Sequence, residues 1–217
     1  MAKDIQTNGV TAKVRKGLEK ETSDAAAHAE AQRKRDYRLH DLANLYTLPF
    51  VSCLCIIGML EMWDHFTITL IFTVYIALDF IWILAVKNAV PRLRFLIRLH
   101  HVATLLLLSI PLRAPEKYGL FTSWAGVVEV NTFFLIARRQ IKHPFWQPLF
   151  GDLFWWTLFL RAGLQPYLLV WYTSDIHANR EPLDYYIISI GCMVFMTLFN
   201  FGLLILTLKP KPKKKTT

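Results

Sequence analysis

A few polar residues interrupt otherwise apolar stretches of this chain: Asp79, the tandem His100-His101, Glu129 with Asn131, Arg161 and Asn200. An ionisable group at a membrane helix centre costs roughly 2.5–3.5 kcal/mol, so each of these needs a partner or a purpose. Imidazole serves as general base or nucleophile. A carboxylate such as Asp79 can orient it, and Arg161 or an asparagine can stabilise charge developing in a reaction. Catalytic candidates are therefore His100, His101 and Asp79, with Glu129, Asn131, Arg161 and Asn200 as substrate-binding candidates. Two other readings of the histidines stay open, a hydrogen-bonded pair that fixes packing and a metal site. Ligand histidines on one helix recur at i+3 or i+4, whereas consecutive ones diverge by about 100°, so no metal is expected. That divergence lets one ring react while hydrogen bonds hold the other. The His-rich boxes of membrane hydroxylases, a Gly-x-Ser-x-Gly elbow and a phosphate loop are all missing from the sequence.

The elements that must carry these residues are set by composition. The chain has 217 residues, 54% of them hydrophobic and only 19% charged, and its mean hydropathy is +0.31. Soluble chains carry about 25% charged residues. Three cysteines make no disulfide framework; Cys53 and Cys55 lie about 200° apart on a helix, so with Cys192 they read as packing residues. A span needs about 20 mostly apolar residues, and six segments qualify: 46–63, 66–86, 93–112, 119–138, 149–173 and 185–208. Backbone groups in lipid must bond internally, which makes each a helix. The expected fold is an all-α integral membrane bundle of about six transmembrane helices. Asp64-His65 forms a tight hairpin in this reading, and Pro166 kinks the fifth span.

Along those helices the polar residues gather in one layer. Asp79, His100 and His101 lie about 10 Å from the end of the bundle that carries Lys87 and Arg98, Asn131 and Asn200 lie near that level, and Glu129 and Arg161 about 13 and 18 Å deep. Helical spacing puts Thr157, Arg161 and Gln165 on one face, and likewise Tyr75 with Asp79, His100 with Thr104, and Glu129 with Thr132. Glu129 and Asn131 point to nearly opposite sides. Arg161 is expected to neutralise Glu129 or Asp79, either as a structural ion pair or within a ligand site.

Loop charge orients the bundle. The N-terminal segment, residues 87–98, residues 138–142 and the tail hold 21 of the 25 basic residues, which puts both termini in the cytosol by the positive-inside rule. That orientation explains the basic excess, so no nucleic-acid partner is expected. Residues 1–45 read as a charged cytosolic leader without a signal-peptide core, with Ser23-Asp24 capping a helix over 25–45. Residues 46–208 are the membrane domain, and 209–217 a basic tail. There Lys214 and Lys215 stand fourth and third from the end. This register resembles the dilysine signal read by a retrieval coat, which implies the endoplasmic reticulum membrane; a polybasic contact with anionic lipid is the alternative.

Asp79, Leu99-His100-His101-Val102-Ala103-Thr104, Glu129-Val130-Asn131-Thr132-Phe133, and Arg161 ahead of Pro166, in order on successive spans, resemble the TLC domain family over about residues 40–208. The family includes ceramide synthases, translocon-associated proteins, a cargo receptor for lysosomal enzymes and regulators of membrane lipid composition. The resemblance implies a lipid-handling bundle of the endoplasmic reticulum. In the ceramide synthase branch, it implies acyl transfer from acyl-CoA to a sphingoid amine through the His pair. That branch carries a His-Asp pair and a further acid where this chain has Val128-Glu129 and Thr132, so the resemblance is to a branch outside the ceramide synthases. Two functions follow. One is an acyltransferase with acyl-CoA as co-substrate, no bound cofactor and a lipid acceptor. The other is a non-enzymatic module that senses membrane lipids or escorts cargo.

Overall fold

The computed structural model describes the backbone of residues 3–90 and 93–208, with side chains from residue 20 onward. The tail with Lys214 and Lys215 lies outside the described residues. Among the described residues every regular element is helical: α1 (Lys3–Met59), α2 (His65–Ala85), α3 (Arg94–Arg113), α4 (Pro115–Gly126), α5 (Glu129–Gln140), α6 (Trp146–Thr157), a π-helical turn (Leu160–Leu164), α7 (Gln165–Ala178) and α8 (Leu183–Leu208).

Five helical stretches are long and apolar enough to cross a membrane: Lys20–Met59, His65–Ala85, Arg94–Arg113, Pro115–Gln140, and Leu183–Leu208. The fourth is α4 and α5 joined through Val127-Val128. The segment expected over 149–173 is not among the five, because it is divided between α6, the π turn and α7. Pro166 at the start of α7 accounts for the break. It lacks an N–H, and its ring crowds the carbonyl four residues back, so the preceding turn widens to the π spacing that places Arg161 within it.

Helix α1 departs from expectation at both ends. Ser23 and Asp24 cap nothing: the helix begins at Lys3 and runs unbroken through them, because the Ala-rich stretch that follows strongly favours helix. Leader and first span are one rod. At the other end α1 stops at Met59, four residues before the expected boundary. Glu61 takes the left-handed conformation (φ 55°), and Met62 N–H bonds Ile57 O while Glu61 N–H bonds Gly58 O. This is a Schellman closure. The hairpin turn thus spans 60–64, and Asp64 caps α2 by accepting from Thr67 N–H and its hydroxyl, each at 2.7 Å.

The α4–α5 stretch packs against α1, α2 and α3, while α6 lies on α5 and α8 on α3 and α7. Small residues allow the α1–α4 approach: a Cβ on Gly126 would stand 2.3 Å from Cys55 Sγ, and one on Gly58 2.2 Å from Ser123 Oγ. A first apolar cluster joins Val51, Cys55, Phe72, Ile76, Leu108 and Leu160. Asp79 follows Ile76 by one turn toward the basic end, which carries Lys87, Arg94, Arg138 and Arg139. A second cluster of Tyr118, Phe121, Leu168, Tyr172 and Met193 fills the opposite end. Large apolar side chains such as Leu78, Ile81, Phe159 and Leu198 face outward, as lipid-facing positions do.

Candidate functional site: a divided polar layer

Five of the seven expected polar positions resolve into two hydrogen-bonded centres, with His100 and Glu129 in neither. The first is built on Asp79. Its Oδ2 accepts from His101 Nε2 at 2.8 Å, and its Oδ1 meets His40 Nε2 at 2.9 Å and Asn44 Nδ2 at 3.2 Å. Tyr75 donates its hydroxyl to Asn44 Oδ1 at 3.0 Å, so the shared face of Tyr75 and Asp79 meets one asparagine. His101 Nδ1 lies 2.8 Å from Ile97 O. Both ring nitrogens of His101 therefore face acceptors. A neutral imidazole has one N–H, so these two bonds place an extra proton in the His101–Asp79 contact. His101 is 6% exposed, stacks on Phe80, and has no nitrogen left to accept a proton.

The second centre is built on Arg161. Its Nε donates to Asn131 Oδ1 at 2.7 Å and its Nη1 to Asn200 Oδ1 at 2.6 Å, while Nη2 donates to the Thr132 hydroxyl. Asn131 in turn donates to Phe154 O at 2.9 Å and to Thr157 Oγ at 3.0 Å. Asn131 and Asn200 are almost fully enclosed. The expected ion pair with Glu129 or Asp79 is not formed: among the described residues no carboxylate oxygen lies within 4.0 Å of the guanidinium. Asp79 is taken by two histidines. Glu129, nearly opposite Asn131 on α5, is half-buried and makes no hydrogen bond to Arg161 or His101. Neutral amide oxygens hold the cation instead. Gln165, expected on the Arg161 face, reaches Met193 Sδ at 3.9 Å.

His100 belongs to neither centre. Its ring stacks on Phe199 of α8 (centroids 4.7 Å, 25° between planes) and stands edge-on to His101 at 5.5 Å. Its Nδ1 is enclosed and has no hydrogen-bond partner. Its backbone carbonyl accepts from Thr104 at 2.8 Å. Phe199 also lines an apolar groove of about 220 Å³ between α3 and α8, bounded by Leu93, Leu96, Phe195, Gly202 and Leu206. A larger cavity at the opposite end is lined by Glu61, Asp64, His65 and Glu116. It lies far from His100 and His101 along the helices, and Asp64 already serves as the α2 cap.

Sequence reasoning missed His40, Asn44 and Asp41, because the charged composition of 1–45 reads as solvated leader. The available signal was the i, i+4 spacing of His40 and Asn44 directly ahead of an apolar run, which puts both on one face. His40 is 8%, Asn44 6% and Asp41 1% exposed. Among the described residues no group of three or more His, Cys, Asp or Glu side chains is arranged to hold a metal ion. Searches against protein-family models, curated proteins and solved structures find no match to this chain.

Proposed function

We propose that this chain is a multi-pass endoplasmic-reticulum membrane protein of lipid homeostasis. In this reading α6, the π turn and α7 make a sixth crossing, and both termini are cytosolic. Loop charge supports the orientation, and the Lys214-Lys215 register supports the compartment. The order of motifs on Asp79, Leu99–Thr104, Glu129–Phe133 and Arg161 supports placement among TLC domain proteins. Replacing Lys214 and Lys215 by serine in a tagged full-length chain tests the compartment: the chain then leaves the endoplasmic reticulum, and unchanged residence refutes the retrieval role.

The chemistry that fits best is acyl transfer from acyl-CoA to a lipid amine or hydroxyl. The observation that carries it is the asymmetry of the histidine pair: His101 is bonded at both nitrogens, while His100 keeps an unpartnered nitrogen and stacks on Phe199, which lines an apolar groove. The groove suits an acyl chain, and the basic end suits the phosphates of coenzyme A. His100 removes the proton from the acceptor as that group attacks the thioester carbonyl. The same proton then goes to the departing thiolate, so the products are the acylated lipid and free thiol. Arg161 and the His101–Asp79 pair set the local field.

The test is transfer of a labelled long-chain acyl group by purified protein in lipid, with sphingoid and lysolipid acceptors offered together. His100→Ala is expected to abolish product while leaving the fold intact. Undiminished transfer removes His100 from the chemistry. The second reading, a non-enzymatic lipid sensor or cargo receptor, is favoured by Thr132. Its hydroxyl is committed to Arg161 at the position where the acyl-transfer branch carries an acid. Folded protein that binds lipid but transfers no acyl group to any acceptor supports that reading.

A further inference from the structure

Asp79 is held from two sides, and only one of them is the histidine motif. Its Oδ1 faces His40 Nε2 and Asn44 Nδ2, both supplied by α1, which enters the bundle from the charged N-terminal segment. The edge of the His40 ring lies against Trp82 at 6.2 Å between centroids, one turn beyond Asp79 on α2. The same stretch of α1 is anchored separately. Asp41 accepts from Arg139 Nε at 2.7 Å and from Gln140 Nε2, and the Arg139 guanidinium lies over the Tyr37 ring at 4.7 Å. Farther out, Asp36 accepts from Asn88 at 3.1 Å.

A carboxylate left with one partner can turn, because its terminal torsion has a broad, shallow profile. Turning Asp79 withdraws Oδ2 from His101 Nε2, the bond that holds the extra proton on His101. His101 would then be free to compete with His100 as a base. His40 donating Nε2–H to Oδ1 prevents this, and Asn44 adds a donor to the same oxygen. We infer that His40 and Asn44 are positioning residues of the histidine site: they fix the Asp79 carboxylate so that His101 stays bonded at both nitrogens and His100 alone is left to react. The leader helix thereby completes the site rather than merely preceding it. This deepens the acyl-transfer reading and rests on it only for the turnover measurement.

The experiment uses the full-length chain with 15N-labelled histidine in lipid nanodiscs, the His101 resonances being identified through His101→Gln. In the wild type both His101 nitrogens are expected to be protonated. His40→Ala shifts the His101 Nε2 resonance and, where acyl transfer is measured, lowers kcat roughly ten- to a hundredfold at unchanged KM. His40→Gln, whose amide can donate to Oδ1, restores most of both. Arg139→Gln loosens the same helix without touching Asp79 and leaves the His101 signal in place. An unmoved His101 signal in His40→Ala overturns the inference, as does an equal shift in Arg139→Gln. Should His40→Ala not fold, Asn44→Ala and His40→Gln decide through the same signal. A shifted signal in protein that transfers no acyl group upholds the positioning role and refutes the reaction.

Discussion

Replacing Asn131 by leucine puts an apolar side chain in its place in α5 and removes the amide that holds Arg161. Asn131 is 1% exposed. It accepts from the Arg161 guanidinium at 2.7 Å and donates to Phe154 O and Thr157 Oγ. A hydrogen bond to a charged group contributes about 1.5–3 kcal/mol, whereas neutral interhelical bonds in membrane proteins average about 0.6 kcal/mol. One bond of the first kind and two of the second predict a loss of about 3–4 kcal/mol. That is a large share of an ordinary stability of about 5–15 kcal/mol, yet leaves a folded chain to measure. Reversible unfolding in mixed micelles supplies the free energies for wild type, Asn131→Leu, Arg161→Met and the double variant. Arg161→Met alone changes stability less, since the desolvation of an unpaired cation that it relieves offsets the bonds it removes. In the double variant no charged donor is orphaned, so its loss falls short of the sum by at least about 1.5 kcal/mol. An Asn131→Leu loss below about 1 kcal/mol, or an additive cycle, refutes the assignment of Asn131 as the anchor of Arg161.

Three further outcomes follow from the ends of the bundle. Bonds from the Thr67 hydroxyl and then its backbone N–H hold the Asp64 carboxyl below the usual carboxylate range. The α2 cap is therefore fully present above that range and is lost as pH falls through the depressed value; amide exchange at Thr67 accelerates there in the wild type and is already fast at neutral pH in Asp64→Ala. Glu61→Gly relieves a left-handed non-glycine residue (φ 55°) and raises stability by about 1 kcal/mol, read as a higher unfolding midpoint; a lower one contradicts the Schellman closure as its source. Glycosylation acceptors introduced at 60–63 or 179–182 are modified in microsomes and one at 87–90 is not, if the basic end faces the cytosol; the reverse pattern overturns the orientation.

The helices of this chain were legible in its composition, because an apolar run of some 20 residues in lipid has no way to satisfy its backbone except as helix. The polar layer was legible for a related reason: polar groups within such runs turn inward or go unsolvated, and Asp79, His101, Asn131, Arg161 and Asn200 all do. Spacing correctly paired Tyr75 with Asp79 and Thr157 with Arg161, since residues four apart share a helix face whatever packs on it. Partner choice was decided by tertiary structure alone. Arg161 reaches two asparagines and a threonine instead of a carboxylate, and Asp79 is flanked by one histidine from its expected motif and another 39 residues upstream. Hydrogen bonds form over about 3 Å, so which groups meet depends on the rotation and depth at which separate helices pack. One turn of the helix screw, or the widened turn forced by Pro166, moves a side chain farther than that, and no pattern within a single segment records where its neighbours have been placed.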